Sequence, residues 1–282
     1  MLSKEETKEL KLFALNIRIE TLKAMGNLGF GHIGGAMSIA DTLAVLYGKA
    51  MKYDAKNPDW EERDWLVCSK GHAGPAIYSS LALKGFFPLE RLLELNKPGT
   101  SFPSHCDRNL TTGIDMTTGS LGQGSSLAVG VALGHRLDGR DNYTYLILGD
   151  GEMQEGQVWE AVLLAAQKKV SRLITFVDYN KQQLDGYTKD INDMGDIKAK
   201  FDAFGWHAQE VDGSDVAAVA QAIEKAKQEQ EKPSVIVLNT LKGKGCSFAE
   251  NVLLNHHMTI SAAQMEEALA VLNGEVERLV QS

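Results

Sequence analysis

The stretch Tyr145-Leu146-Ile147-Leu148-Gly149-Asp150-Gly151, followed after 28 residues by Asn180, decides the fold. Its four apolar residues read as a buried strand, which the glycine–aspartate–glycine triplet closes. A helical pattern runs from Glu155 to Lys169, and a second apolar run, Leu173 to Val177, ends in Asp178-Tyr179-Asn180. Strand, helix and strand in that order place two parallel strands in one sheet. Asp150 and Asn180 would then emerge side by side at the sheet's carboxyl edge, where open α/β folds take their ligands. A carboxylate and an amide oxygen suit a hard divalent cation such as Mg2+, which often bridges to a diphosphate. Gly151 leaves room for a backbone N–H to approach a phosphate oxygen. Alone, the triplet also reads as a turn after a strand. The strand–helix–strand setting and the Asn at the second strand end favour the metal–diphosphate reading.

The alternation continues on both sides. An amphipathic first helix carries the stripe Leu10, Phe13, Ala14, Ile17 and Leu22. A glycine-rich loop, Gly26 to Gly35, precedes a helix around Ser38 to Lys49. Asp64 to Ser69 reads as a strand, followed by a helix through Tyr78 and Leu83, and Pro88 to Leu95 as a short helix. Asn96 to Thr118 is irregular, and so long a loop in a compact domain is often functional. Gly122 to Leu137 reads as a buried helix. Strands at Trp206 to Val211 and Ser234 to Asn239, an intervening helix from Val216 to Gln230, and a last helix from about Ser261 to Val280 complete the chain. The expectation is one α/β domain over residues 1–282, a parallel sheet with helices on both faces.

With 44% hydrophobic and 23% charged residues, the 282-residue chain fits neither a disordered nor a membrane class. A net charge of −8 argues against a nucleic-acid surface. Cys68, Cys106 and Cys246 form neither a zinc pattern nor a disulfide framework, so a cytoplasmic setting is expected. Lys4, Glu5, Glu6, Lys8, Glu9 and Lys11 interrupt the start too often for a signal peptide.

His32, His72, His105 and His256 sit on predicted loops beside glycine or proline, at strand or helix ends. Singly, each is more often a surface or satisfied core histidine; their shared placement is the stronger signal. His135 and His207 fall inside predicted elements and are assigned structural roles. Thr117-Thr118-Gly119-Ser120-Leu121-Gly122-Gln123-Gly124 allows close approach of backbone to a ligand or, equally, to another helix. Gly243-Lys244-Gly245 lacks the spacing of a nucleotide P-loop. Glu155 and Glu160 flank the start of the central helix, where carboxylates favour the helix dipole.

The Gly149-Asp150-Gly151 to Asn180 unit resembles the metal–diphosphate motif of thiamine diphosphate (ThDP) enzymes. That resemblance adds the Gln182 carbonyl as a third metal ligand and Leu184 as an apolar neighbour of the thiazolium ring. Gly31-His32-x-Gly34, Ser69-Lys70-Gly71-His72, Thr117 to Gly124, the metal motif, and Lys242-Gly243-Lys244-Gly245 to His256 stand in transketolase order. Over essentially its whole length the chain resembles the N-terminal, diphosphate-binding part of transketolase, as found in two-subunit transketolases. The resemblance implies that His72, Gly151 and His256 approach the diphosphate and that Gly119 and Leu121 hold the aminopyrimidine. It implies that His32, His105 and His256 line the sugar channel and handle hydroxyl protons, and that Glu155 and Glu160 lie at an interface between cofactor sites. Mg2+, with Ca2+ or Mn2+ as substitutes, is the implied metal.

The implied activity is transfer of a two-carbon ketol unit from a ketose to an aldose, with ThDP as electron sink. It implies a C-terminal, pyrimidine-binding partner subunit, two copies of each chain, and little activity from this chain alone. The alternatives are the alpha subunit of a 2-oxo-acid dehydrogenase, which shares the metal motif, and a non-catalytic cofactor-binding scaffold. The sequence departs from the family pattern at Ile33 and Ser120, both in proline positions, at Cys106-Asp107 in place of Pro-Glu, and at Asn255 in place of Trp. Several of these border the sugar channel, which puts the usual sugar phosphates in question as substrates; the sequence does not identify whether the anionic end is a phosphate or a sulfonate.

Overall fold

The computed structural model describes residues 2–282. Five parallel strands form its sheet: β1 (Trp65–Cys68), β2 (Thr144–Gly149), β3 (Leu173–Tyr179), β4 (His207–Asp212) and β5 (Ser234–Asn239), in the order β1-β2-β3-β5-β4. The central strands are apolar on both faces because helices cover both. Tyr145 and Ile147 of β2 join one core with Ile174, Phe176, Ile236 and Leu238. Leu146 and Leu148 join the other with Leu173, Val177, Val235 and Val237. Period-two alternation thus sends every second side chain to the opposite core. Strand β4 lies at the edge and is more polar, as an edge strand that must not recruit further strands should be.

The first core is closed by α1 (Lys4–Leu28), α2 (Ala40–Val45), α3 (Gly74–Leu83), α7 (Val216–Gln228) and α8 (Ala262–Gln281). The second is closed by α4 (Gln123–Leu137), α5 (Gly156–Gln167) and α6 (Ile197–Ala203). Capping boxes at Ser3 with Glu6 and at Ser261 with Gln264 fix where α1 and α8 begin.

Two local expectations are corrected, and a third, the short helix at Pro88 to Leu95, is refined. The Gly26–Gly35 stretch is not one loop. Helix α1 runs through Gly26 to Leu28, Gly29 ends it at φ +88°, and Ile33–Met37 forms a further helical turn. The segment Pro88 to Leu95 is a tight 3₁₀ turn over Leu89–Glu94. Helix α4 buries Ala128, Val129 and Ala132, but Leu127 and Leu137 on its other side are exposed, so it is half-buried at most.

Candidate active site

Register aligns the carboxyl ends of the strands, so Gly149 pairs with Asp178 and Tyr179 with Asn239. The chain leaves β2 and β3 at the same level, and this brings Asp150, Asn180 and Gln182 together. All three are buried. Asp150 accepts from the Gly151 and Lys181 N–H groups at 2.9 and 2.6 Å. The Asn180 side-chain amide donates to Asp178 at 2.9 Å, which leaves its carbonyl oxygen as an acceptor; that oxygen receives the Gln182 N–H at 3.1 Å. Lys242 donates to the Gln182 carbonyl at 3.3 Å.

Behind this group lies a buried ion pair that sequence reasoning did not single out. Lys70 donates to Asp178 at 2.5 Å and to the Gly35 carbonyl at 2.7 Å. Ser38 and Thr240 donate to the same carboxylate. Burial pushes the Asp178 carboxyl up, but the Lys70 ammonium and these donors outweigh it and hold the group below the usual range. Glu152 is a second such anchor: it accepts from the Ser69 hydroxyl and from the N–H groups of Gly122 and Gly149, tying β1, β2 and the start of α4 together.

The residues present fit a cation and a diphosphate. Asp150 is pushed up to about 7 by burial, with the Asp178 charge adding, so its ionised form is short of positive charge. Lys242, also buried and near Lys70, is brought down to about 8. A Cβ on Gly151 would lie 2.5 Å from the Gln183 Cβ, so only glycine permits this approach of the two segments. The cleft beside them has a volume of about 270 Å3. Its polar floor includes Asp150, Lys70, His72 and His256, whereas Leu121 and Leu184 flank it while remaining 39% and 57% exposed. Two open leucines over a polar floor suit a ligand with an apolar ring and an anionic tail. Among the described residues no three His, Cys, Asp or Glu side chains form a metal cluster; the candidate donor set is one carboxylate, one amide and one backbone carbonyl.

The four histidines converge, and a fifth joins them. The His32 ring lies 5.3 Å from His72, 5.4 Å from His105, 5.3 Å from His256 and 4.7 Å from His257, and His72 lies 4.7 Å from His256. His72 sits in the tight turn Gly71–Ala73 that follows β1. His105 is held from behind: the Tyr78 hydroxyl donates to the Pro103 and His105 carbonyls, and the Ser104 hydroxyl meets its Nδ1. Gly119 lies against the His105 ring, within 3.0 Å measured from the position a Cβ would take. Burial, with neighbouring imidazoles, brings His32 down to about 4; burial, with Lys242, brings His256 down to about 3. Burial also lowers His72 and His105. At neutral pH these rings are uncharged and can accept a proton. His135 and His207 lie elsewhere; His135 packs on Trp65.

Glu155 and Glu160 are exposed, at the N-cap and in the second turn of α5. Beside them α4 and α5 expose Leu127, Leu163 and Leu164.

Residues 10–274 match the family model described as "Transketolase, thiamine diphosphate binding domain". The chain is 52% identical over 271 residues to a 6-deoxy-6-sulfo-D-fructose transketolase subunit of Clostridium sp. (strain MSTE9), covering 96% of this chain and 98% of that one. It is 37% identical over 267 residues to an apulose-4-phosphate transketolase subunit of Actinobacillus succinogenes, covering 95% and 96%. A Pichia stipitis transketolase superposes with a TM-score of 0.86 at 30% identity over 98% of this chain, which spans only 45% of that enzyme. The protein therefore belongs to the transketolase family and corresponds to its thiamine diphosphate-binding domain.

Proposed function

We propose that this chain is the N-terminal, cofactor-binding subunit of a two-subunit transketolase. It would transfer a two-carbon ketol unit from an anion-tipped ketose to an aldose, and only when joined to a C-terminal, pyrimidine-binding subunit. What carries the reading is the convergence of Asp150, Asn180 and Gln182 with the imidazole group at one sheet edge, beside an open cleft. The near-complete coverage of two relatives that are themselves named as subunits supports the split arrangement. The family match favours this over a 2-oxo-acid dehydrogenase subunit, and the imidazole group favours it over a scaffold.

Asp150, Asn180 and the Gln182 carbonyl would hold Mg2+, with Ca2+ or Mn2+ able to substitute. His72, His256 and the Gly151 N–H would face the diphosphate; Gly119, Leu121 and Leu184 would border the rings. ThDP, when bound, supplies the nucleophilic carbon and electron sink for carbon–carbon cleavage. His32, His105 and His256, uncharged at neutral pH, would accept and return the hydroxyl proton of the sugar. The relative at 52% identity is named for a sulfonated ketose, which makes a sulfonate-tipped donor the first to try. Glu155 and Glu160, with Leu127, Leu163 and Leu164 beside them, would meet a second copy, giving two copies of each chain. Three free buried cysteines fit a reducing cytoplasm.

The test is reconstitution. The chain alone should be nearly inactive, and full ketol transfer should appear on adding the partner subunit. Full activity from the chain alone, free of partner by mass spectrometry, would overturn the reading.

A further inference from the structure

His257 is the member of the imidazole group that no motif pointed to, and its position is fixed from both sides. Before it, the Asn255 carbonyl accepts the Gly34 N–H at 3.2 Å, and a Cβ on Gly34 would lie 2.5 Å from that oxygen. Asn255 is itself buried, with its amide donating to the Lys242 and Ala249 carbonyls. After it, Met258–Thr259 pairs antiparallel with Phe30–Gly31, and the Ile260 N–H donates to the Gly29 carbonyl at 2.8 Å. With the chain clamped on either side to the segment that carries His32, the His257 ring is held 4.7 Å from His32 and 5.6 Å from Phe30.

The group has an inside and an outside. His72 and His256 line the cofactor cleft, His32 stands in the middle, and His257 is exposed at the outer rim beside the 40% exposed Phe30. A ketose whose carbonyl carbon is brought to the inner end must extend its far end outward past His32. The rings of His32, His105, His256 and His257 lie together along that path, His32 within 5.4 Å of each of the others. Each uncharged imidazole offers one N–H donor, which a substrate oxyanion can accept. We infer that His257 is a specificity-determining residue whose ring N–H donates to the terminal oxyanion of the ketose, a sulfonate or a phosphate. The inference rests on the transketolase reading and adds to it the residue on this chain that reads the substrate's far end.

The test uses the ThDP- and Mg2+-loaded two-chain enzyme as wild type, H257A and H257Q. Donors are a sulfonate-tipped ketose, the phosphate-tipped ketose of the same length, and the uncharged parent ketose. Loss of a hydrogen bond to a charged group should raise the H257A KM about tenfold or more for an anionic donor. The kcat, the KM for the uncharged ketose and ThDP affinity should stay within about twofold, and H257Q, which keeps an N–H donor, should recover part of the loss. A rise for one anionic donor alone assigns that anion. An equal loss with the uncharged ketose, or no change with any donor, overturns the inference. A second readout is independent of turnover: titrating the sulfonate- or phosphate-tipped ketose should move the His257 ring resonances in NMR spectra of the loaded wild-type complex. Unmoved resonances with both overturn the assignment even where transfer proceeds, whereas moved resonances without transfer overturn the function and leave the contact standing.

Discussion

Replacing Lys70 by Met tests the physical core of the site. Lys70 is 2% exposed and Asp178 is wholly buried, and the pair closes at 2.5 Å. Methionine keeps most of the stem's volume but removes the ammonium, so Asp178 is left as a buried charge with only hydroxyl and amide donors from Ser38, Thr240 and Asn180. Removing one partner of a buried pair typically costs about 3–5 kcal/mol. These three donors place the expected loss at the low end, about 3 kcal/mol. With roughly 0.6 kcal/mol per kelvin of unfolding entropy for a chain this long, that is a fall in Tm of about 5 °C. The assay is chemical and thermal denaturation of the cofactor-free chain as wild type, Lys70→Met, Asp178→Asn and the double variant. The double variant should regain at least half of the Lys70→Met loss, because it no longer buries an unpaired charge. A single-variant loss below about 1 kcal/mol, or a double variant no more stable than Lys70→Met, would refute the reasoning.

Two further outcomes are expected. Asp150→Ala should abolish Mg2+-dependent ThDP binding in a folded protein, since it removes the one anionic group of the donor set; calorimetry showing unchanged cofactor affinity would remove Asp150 from the metal site. The contribution of His32 and His256 to the stability of the cofactor-free chain should fall as pH drops below 6.5 and keep falling to about 4. Over that window the unfolded chain takes up protons on His32 and His256 that the folded chain refuses. Asp150, pushed up to about 7, takes up its proton on the folded chain in the same window and opposes this, so the readout is the difference between variants: from pH 6.5 to 4 His32→Gln should lose less stability than wild type, and parallel profiles would contradict the burial assigned to that ring.

The β2–α5–β3 unit was legible because an uninterrupted apolar strand has one common cause, cores on both faces, and Tyr145 to Leu148 divide between the two. The start of α8 was legible from Ser261 because a cap is chemistry local to the sequence. Helix α4 misled for a physical reason. Its exposed residues mix Leu127, Gly130 and Leu137 with Gln123, Ser126 and Arg136, while Ser125 and His135 are buried, so polarity does not sort one face from the other. An apolar surface looks, in one sequence, the same as an apolar core. The four loop histidines were legible as a set only through their placement at element ends. His257 was not, because its place is made by a two-residue ladder between Phe30–Gly31 and Met258–Thr259, too short to leave a periodic trace.

The deeper part of the site was hidden because its pairs are distant in sequence, Lys70 and Asp178 by 108 residues. One hint was present: residues two apart on a strand share a face, so Asp178 and Asn180 had to point the same way as β3 ended. The structure gives that hint its meaning, since the Asp178 carboxylate accepts an Asn180 side-chain N–H and the amide oxygen is left to accept from the Gln182 N–H. Besides the Glu152 anchor, two acids and two lysines are buried here, and they are not equivalent. Lys70 and Asp178 form a closed pair, with Asp178 held low. Asp150 and Lys242 form an open one: Lys242 donates to the Gln182 carbonyl, and burial draws both groups towards neutrality. A closed pair holds a fold together, whereas an open pair keeps the electrostatic cost of burial until ligands complete it. A divalent cation at Asp150 and an anion at Lys242 would supply what each lacks, and that asymmetry separates the scaffold of this site from its binding groups.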